Sequence, residues 1–581
     1  MAVLNRFFRS DKNSAQEVSV SGIDVQHNLV ADGDLKYTIE QAGNGSSPSY
    51  QEVSGAPVEA NSPLGYSVGR ITVVFLNISM MIGTGIYSTP AGILSSVGSV
   101  GLAFIYWVIG FLLSSSSLAV YIEYAAFFPN RSGSEVVYLE QAYPRPKWLF
   151  PTTFALWYLI LSFSSSNCIV LARYLFEVNG HVPTPWEQKG VAVAGWTVVI
   201  LILVLNNRFG YLISNAIGVV KLITLLFVSI TGLVVLGGHT RVKDPTANFK
   251  NAFSGTSHKP YGLTQALVNI IFSYGGYHNS FNVVNEVKNP IKVMKIYSSI
   301  SLLTVAILYI LANVAYIAAV PLDELKASNQ IAASLFFQKV FGSSGAVKGL
   351  NFLIALSAFG NLLASNIGLS RLTRECGRQG VLPYPRFWAS VWPFGTPCGP
   401  YLIKYVLTLV MILAPPAGDA FNFVNNLQVY PNAIFNVLIA VGIYLVRWRH
   451  KKANLPRESF RAWDLAVWFN ILVNLYMVVM PWYPPGKRGS SFGFWYGTAS
   501  VTGIGIIALC GVYYWLWIIA IPKWHGYRIR QQVDTLDSGA NAHKLVKVPL
   551  DQVKEWDETH DPTGKLIADT LHGERNSDIK I

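Results

Sequence analysis

An all-α integral membrane protein of about twelve transmembrane helices is predicted by three observations on this sequence. Of its 581 residues, 51% are hydrophobic and 13% charged, whereas a soluble domain carries about a quarter charged residues. The apolar residues fall in blocks of about twenty, enough to cross about 30 Å of hydrocarbon at about 1.5 Å per residue. Lys and Arg gather in the short segments between blocks. The net charge of +13 is therefore read as membrane topology, not as a nucleic-acid surface, and the lipid bilayer is the expected partner.

Apolar runs occupy 71–96, 100–127, 149–175, 190–206, 211–237, 264–286, 296–320, 345–371, 401–416, 419–446, 463–482 and 496–521. An even number of crossings puts both ends on one side. With the N-terminus inside, the inner loops hold 17 Lys and Arg against 10 in the outer loops. The bias makes 1–66 and 523–581 cytosolic tails around a twelve-helix domain at 67–522. The first tail has no short apolar core with a cleavage site, so it is read as retained. Both tails are polar and read as solvated. Cys376 and Cys398 are placed in one basic inner loop, Cys168 and Cys510 in apolar blocks; no spacing suggests a metal site or disulfide framework.

Glycines interrupt two of the spans. The first contains Met81-Ile82-Gly83-Thr84-Gly85-Ile86, and the sixth contains Ile271-Phe272-Ser273-Tyr274-Gly275-Gly276-Tyr277-His278. Glycine weakens a helix by about 1 kcal/mol relative to alanine. Unwound backbone survives in a membrane only where protein or a water-filled cavity surrounds it. Small-residue helix packing explains either glycine pair alone equally well. Breaks in spans one and six together fit two five-helix repeats that each begin with a discontinuous helix. The half-helix N-terminus after Gly83, Thr84 and Gly85 suits a carboxylate. The unwound carbonyls of Ser273, Tyr274 and Gly275 suit an ammonium, so the two breaks together would hold an α-amino acid.

Charged residues inside the apolar runs are the next candidates. Lys221 sits mid-way along the fifth span, where a cation must face a polar interior or titrate, and it is the candidate proton carrier or a fixed structural cation. Glu123 and Glu286 lie at inner span ends and are candidates for an inner gate paired with loop arginines. Ile82, His278, Asn361 and Asn425 are candidate pocket residues. Arg173 and Lys404 are read as snorkelling from span ends. No nucleophile–base set, phosphate loop or metal cluster suggests an enzyme or a cofactor other than protons as coupling ion.

The GTGI stretch, Ile122-Glu123-Tyr124 with Pro129-Asn130-Arg131-Ser132-Gly133-Ser134-Glu135, the Phe272–Tyr277 stretch and Glu286-Val287-Lys288-Asn289-Pro290 carry a family resemblance. With Arg374-Glu375, Gly380-Val381-Leu382-Pro383 and Ala414-Pro415-Pro416-Ala417-Gly418-Asp419-Ala420, the chain resembles the amino acid–polyamine–organocation superfamily over about residues 66–525. Within it, the chain resembles the L-type amino acid transporter-like, fungal methionine-permease branch. The resemblance implies a LeuT-like core of inverted five-helix repeats with two added C-terminal helices. It implies that Gly83, Thr84 and Gly85 meet a substrate carboxylate. Phe272 would close over the substrate, the carbonyls of Phe272, Ser273 and Gly275 would take its amino group, and Lys221 would stand in for a sodium ion. The expected activity is proton-coupled plasma-membrane import of methionine or another neutral amino acid. A nutrient-sensing receptor with little flux, or an exchanger of other amino acids or polyamines, stays open. By the same resemblance the tails would be read by ubiquitin-ligase adaptors.

Overall fold

The computed structural model describes residues 23–24, 29–32, 35–40, 42–46, 48–327, 332–342, 344–414, 419–484, 495–536 and 538–567. Among them nine helices are long and apolar enough to cross a bilayer, and Arg70–Met81 with Gly85–Val97 forms a tenth across a 42° bend. Cys398–Leu413 is a shorter apolar helix, and Pro260–Tyr274 passes through glycines into the 3-10 segment Asn279–Glu286. These twelve elements stand at the twelve apolar runs. The first and sixth are an odd number of crossings apart, so the two broken spans run through the bilayer in opposite directions.

Three departures from the sequence reading have physical causes. The third span is also broken, into Leu149–Leu161 and Ser165–Asn179. Its Ser162-Phe163-Ser164 step is fixed by the Ser164 N–H donating to Thr408 Oγ1 at 3.1 Å. The eighth span continues past 371 as one helix, Ser344–Arg378. Its last charged residues ended the apolar run, but each is neutralised: Arg371 by Glu286 at 2.9 Å, Arg374 by Glu59 at 2.6 Å and Arg378 by Glu375 at 2.6 Å. Cys376 is therefore a buried helical residue, not a loop one. Lys404 does not snorkel: it is 3% exposed within the ninth span, and its Nζ meets no hydrogen-bond partner among the described residues.

The described parts of the tails are folded rather than solvated coil. Strands β1 (Ile23–Asp24), β2 (Leu29–Asp32), β3 (Leu35–Glu40) and β4 (Ser49–Glu52) form an antiparallel meander, and β5 (Tyr527–Thr535) pairs with β6 (Asn541–Pro549) as a hairpin. Both lie against one end of the bundle, here termed the tail face. Glu59 reaches Arg374 and Arg378, Arg378 Nε donates to the Asn541 carbonyl at 2.7 Å, and Gln531 Nε2 donates to the Val53 carbonyl at 2.9 Å. Arg131 completes the belt, bonding Glu140 at 3.0 Å and Glu375 at 2.6 Å. Every member is buried to within a few per cent of exposure.

Removing one partner of a buried pair leaves an uncompensated charge and costs about 3–5 kcal/mol. Glu59→Gln is accordingly expected to lower the apparent Tm of the detergent-purified chain clearly, while Lys36→Gln, at an exposed tail position, leaves it unchanged; thermal-shift fluorescence reads both. His543 is fully buried in β6, and burial, with Lys147 and Arg131 adding to it, pushes its imidazole from 6.5 down to about 3. Below pH 6.5 the unfolded chain takes up a proton that the folded chain refuses. The apparent Tm should therefore fall as pH drops from 7 toward 5, and His543→Gln should flatten part of that slope.

Candidate functional site

Why the first span breaks is visible at its glycines. A Cβ on Gly85 would sit 2.9 Å from Ser273 Cα, so only glycine lets the two broken spans touch there. Gly276 has φ +114, and a Cβ on it would press to 2.5 Å from Met80. The broken segments are held by side chains from their neighbours. The Tyr309 hydroxyl of the seventh span lies 2.6 Å from the Met81 carbonyl and 3.0 Å from the Ser273 carbonyl, joining the two breaks through one atom. Asn279 Nδ2 donates to the Ala364 carbonyl at 2.8 Å, and Asn77 Oδ1 accepts the Ser280 N–H at 2.9 Å. Lys221 Nζ donates to the Ser79 and Ile82 carbonyls at 2.6 and 2.8 Å. Asn361 Nδ2 donates to the Met80 carbonyl at 2.5 Å, while its Oδ1 accepts from Asn167 at 3.0 Å.

Between these segments lies a cavity of about 350 Å³, within the range of small-molecule sites. It brings together Gly83, Thr84, Gly85, Phe272, Gly275, His278 and Asn361 from the sequence candidates. The half-helix that starts at Gly85 has Thr84 as its N-cap and no side-chain cap, which leaves its first N–H groups to the cavity end. From the breaks the walls run toward the tail face, as far as Tyr121, Glu135 and Leu372. Phe154, Trp157, Phe163, Phe435 and Met477 supply a largely aromatic side.

Other candidates lie elsewhere. Ser273 and Tyr274 are buried outside the lining: Ser273 Oγ is 2.7 Å from Thr89 Oγ1, and the Tyr274 hydroxyl donates to the Trp107 carbonyl at 3.1 Å. Ile82 and Lys221 are walled off from the cavity, Ile82 through its carbonyl's bond to the lysine. Glu123 is chelated by Arg447 at 2.6 and 2.7 Å and accepts the Ala462 N–H at 2.7 Å. Glu286 accepts from Arg371 and, at 2.9 Å, from the Tyr211 hydroxyl. Both carboxylates sit toward the tail face, off the cavity. The side chain of Asn425 lies outside the described residues. Sequence reasoning missed Tyr309, which carried no signal, and the third break, for which the run Ser162-Phe163-Ser164-Ser165-Ser166 was the available one.

A helical membrane bundle whose cavity is walled by unwound backbone from two oppositely directed spans defines a secondary transporter. The chain belongs to the amino acid permease family, whose model matches residues 68–509. It is similar to the high-affinity methionine permease of Saccharomyces cerevisiae, with 34% identity over 497 residues covering 85% of this chain and 86% of that protein. It is also similar to the low-affinity methionine permease of the same yeast, at 27% over 560 residues, 93% of this chain and 98% of that one. A more distant relative is the human cystine/glutamate transporter, at 26% over 512 residues, 86% of this chain and 93% of that one.

Tyr309→Phe removes the donor shared by two buried carbonyls, which costs about 1–3 kcal/mol. The expected result is a lower apparent Tm and weaker ligand-induced stabilisation. Gly85→Ala is expected to abolish ligand-induced stabilisation, because the added methyl meets backbone that has no rotamer to yield.

Proposed function

We propose that the protein imports methionine or a related neutral L-amino acid across the plasma membrane by alternating access, driven by protons, with its tail face in the cytosol. The observation that carries this reading is the cavity between the free half-helix N-terminus at Thr84–Gly85 and the unwound segment 275–278 that follows Phe272 in the sixth span. N–H donors at one side suit the carboxylate, and the backbone carbonyls of the sixth-span break suit the ammonium. The aromatic side formed by Phe154, Trp157 and Phe435 suits an apolar side chain, and sulfur–aromatic contacts of about 0.3–1.5 kcal/mol favour a thioether. The two methionine permeases among the relatives support the same substrate. Among the described residues no Lys or Arg lines the cavity, which speaks against an acidic substrate.

The choice of protons over sodium as coupling ion is supported by Lys221, whose ammonium already neutralises the Ser79 and Ile82 carbonyls beside the first break. The tails, in this reading, are also where ubiquitin-ligase adaptors bind. A sensing receptor with little flux is the second reading, since a cavity alone binds without transporting.

Uptake of labelled methionine into proteoliposomes, with and without an inward proton gradient, tests the proposal. Accumulation in the wild type is expected to require the gradient, and Lys221→Met to abolish it. Binding without accumulation favours the receptor. Competition by another amino acid but not by methionine replaces the substrate and leaves the mechanism standing.

A further inference from the structure

Lys221 is 1% exposed and shut away from the cavity, so a proton travelling the substrate path does not reach it in this conformation. The path has another acid and base. Among the described residues lining the cavity, Glu135 is the only carboxylate and His278 the only imidazole; Tyr121, Tyr158 and Tyr277 are the remaining titratable groups. The two are adjacent. His278 Nε2 lies 3.3 Å from Glu135 Oε1, with side chains 24% and 14% exposed.

The surroundings fix this pair from four elements. The Tyr121 hydroxyl, from the second span, donates to Glu135 Oε1 at 2.7 Å, and its ring stands 5.1 Å from the imidazole. Ser134 donates to Glu135 Oε2. Its hydroxyl also bonds Asn282 of the sixth span at 2.7 Å. Tyr277 stands 4.9 Å from the imidazole ring, and its hydroxyl donates to Ser117 at 2.7 Å. From the third span Tyr158 faces the cavity, its hydroxyl without a hydrogen-bond partner among the described residues. From the eighth span Glu375 packs under Gly133, but Arg131 and Arg378 already neutralise it. Among the described residues Glu135 thus has no ion-pair partner except a protonated His278. The other ring nitrogen, Nδ1, is buried and has no hydrogen-bond partner among the described residues.

We propose that Glu135 and His278 form the site that carries the coupling proton, and that Lys221 is a fixed cation. The inference rests on the proton-coupled reading above. With the imidazole neutral, its Nε2–H donates to Glu135 and Nδ1 offers a lone pair. A proton arriving through the cavity adds to Nδ1, and the resulting imidazolium is paired with the carboxylate. Loss of the same proton from Nδ1 restores the neutral ring. His278 follows the sixth-span break, and Glu135 opens the helix Glu135–Ala142 at the tail face. Protonation therefore converts the link between these two elements from a hydrogen bond between a neutral ring and a carboxylate into an ion pair. Deprotonation loosens the tail-face end of the cavity.

The full-length chain in proteoliposomes, with labelled methionine, tests this through His278→Gln and Glu135→Gln. Methionine-dependent thermal shift and methionine–methionine counterflow, neither of which needs net proton movement, report whether each variant folds and binds. Because both residues line the cavity, each variant's own counterflow rate is the reference against which its gradient-driven uptake is read. Both variants should lose gradient-driven accumulation by about tenfold and lose the dependence of uptake on external pH. If the wild type shows gradient-driven uptake and both variants retain it, the pair is overturned and proton coupling stands. If the wild type itself is indifferent to the gradient, the coupled reading fails and the pair with it. Should His278→Gln not bind methionine, Glu135→Gln decides by the same readouts, with retained gradient-driven uptake overturning the pair.

Discussion

Unwound backbone in the middle of a bilayer must find hydrogen-bond partners within the protein, and this constraint shapes the centre of the molecule. The Tyr309 hydroxyl serves the carbonyls of Met81 and Ser273, which belong to different broken spans. Lys221 serves Ser79 and Ile82, Asn361 serves Met80, and Asn279 with Asn77 ties the second half of the sixth span to the first. The two breaks are thereby one connected object. Asn361, Met80 and Met81 belong both to this network and to the cavity wall, which is why the cavity and the breaks coincide.

A second constraint acts at the tail face. Glu59, Arg131, Glu140, Glu286, Arg371, Arg374, Glu375 and Arg378 are buried as a set in which each charge has an opposite neighbour. A buried pair gains little over apolar packing but is costly to split. Such a belt specifies register: the end of the eighth span, the loop after the second and both tails fit only when all the partners meet.

Much of this was legible in the sequence because hydrophobic length and glycine placement act locally. The 100–127 run is the helix Val100–Phe127, and the glycines at 83, 85, 275 and 276 mark where two helices stop. The end of the eighth span was not legible, since Arg371, Arg374 and Arg378 read as loop residues until their partners, distant in sequence, are known. Lys404 failed for the same reason: its burial depends on neighbouring spans, not on its distance from a span end. Tyr309 looks like any tyrosine in an apolar run, and only folding places its hydroxyl between two breaks. The pairing of Glu135 with His278 likewise spans two elements and leaves no local pattern.

The docking of the tails bears on how the chain is made. Residues 48–60 leave the ribosome before any span, yet Arg374 and Arg378 belong to the eighth span and Gln531 and Asn541 to the last tenth of the chain. The segment must wait, unpaired, while twelve spans enter the bilayer, and contacts of such long sequence separation close late. A chain that stops before the hairpin of β5 and β6 leaves the Asn541 carbonyl and Gln531 side chain missing from the tail face. Until the hairpin is made, Arg378 and the Val53 carbonyl therefore stay without those partners, and the tail face closes last.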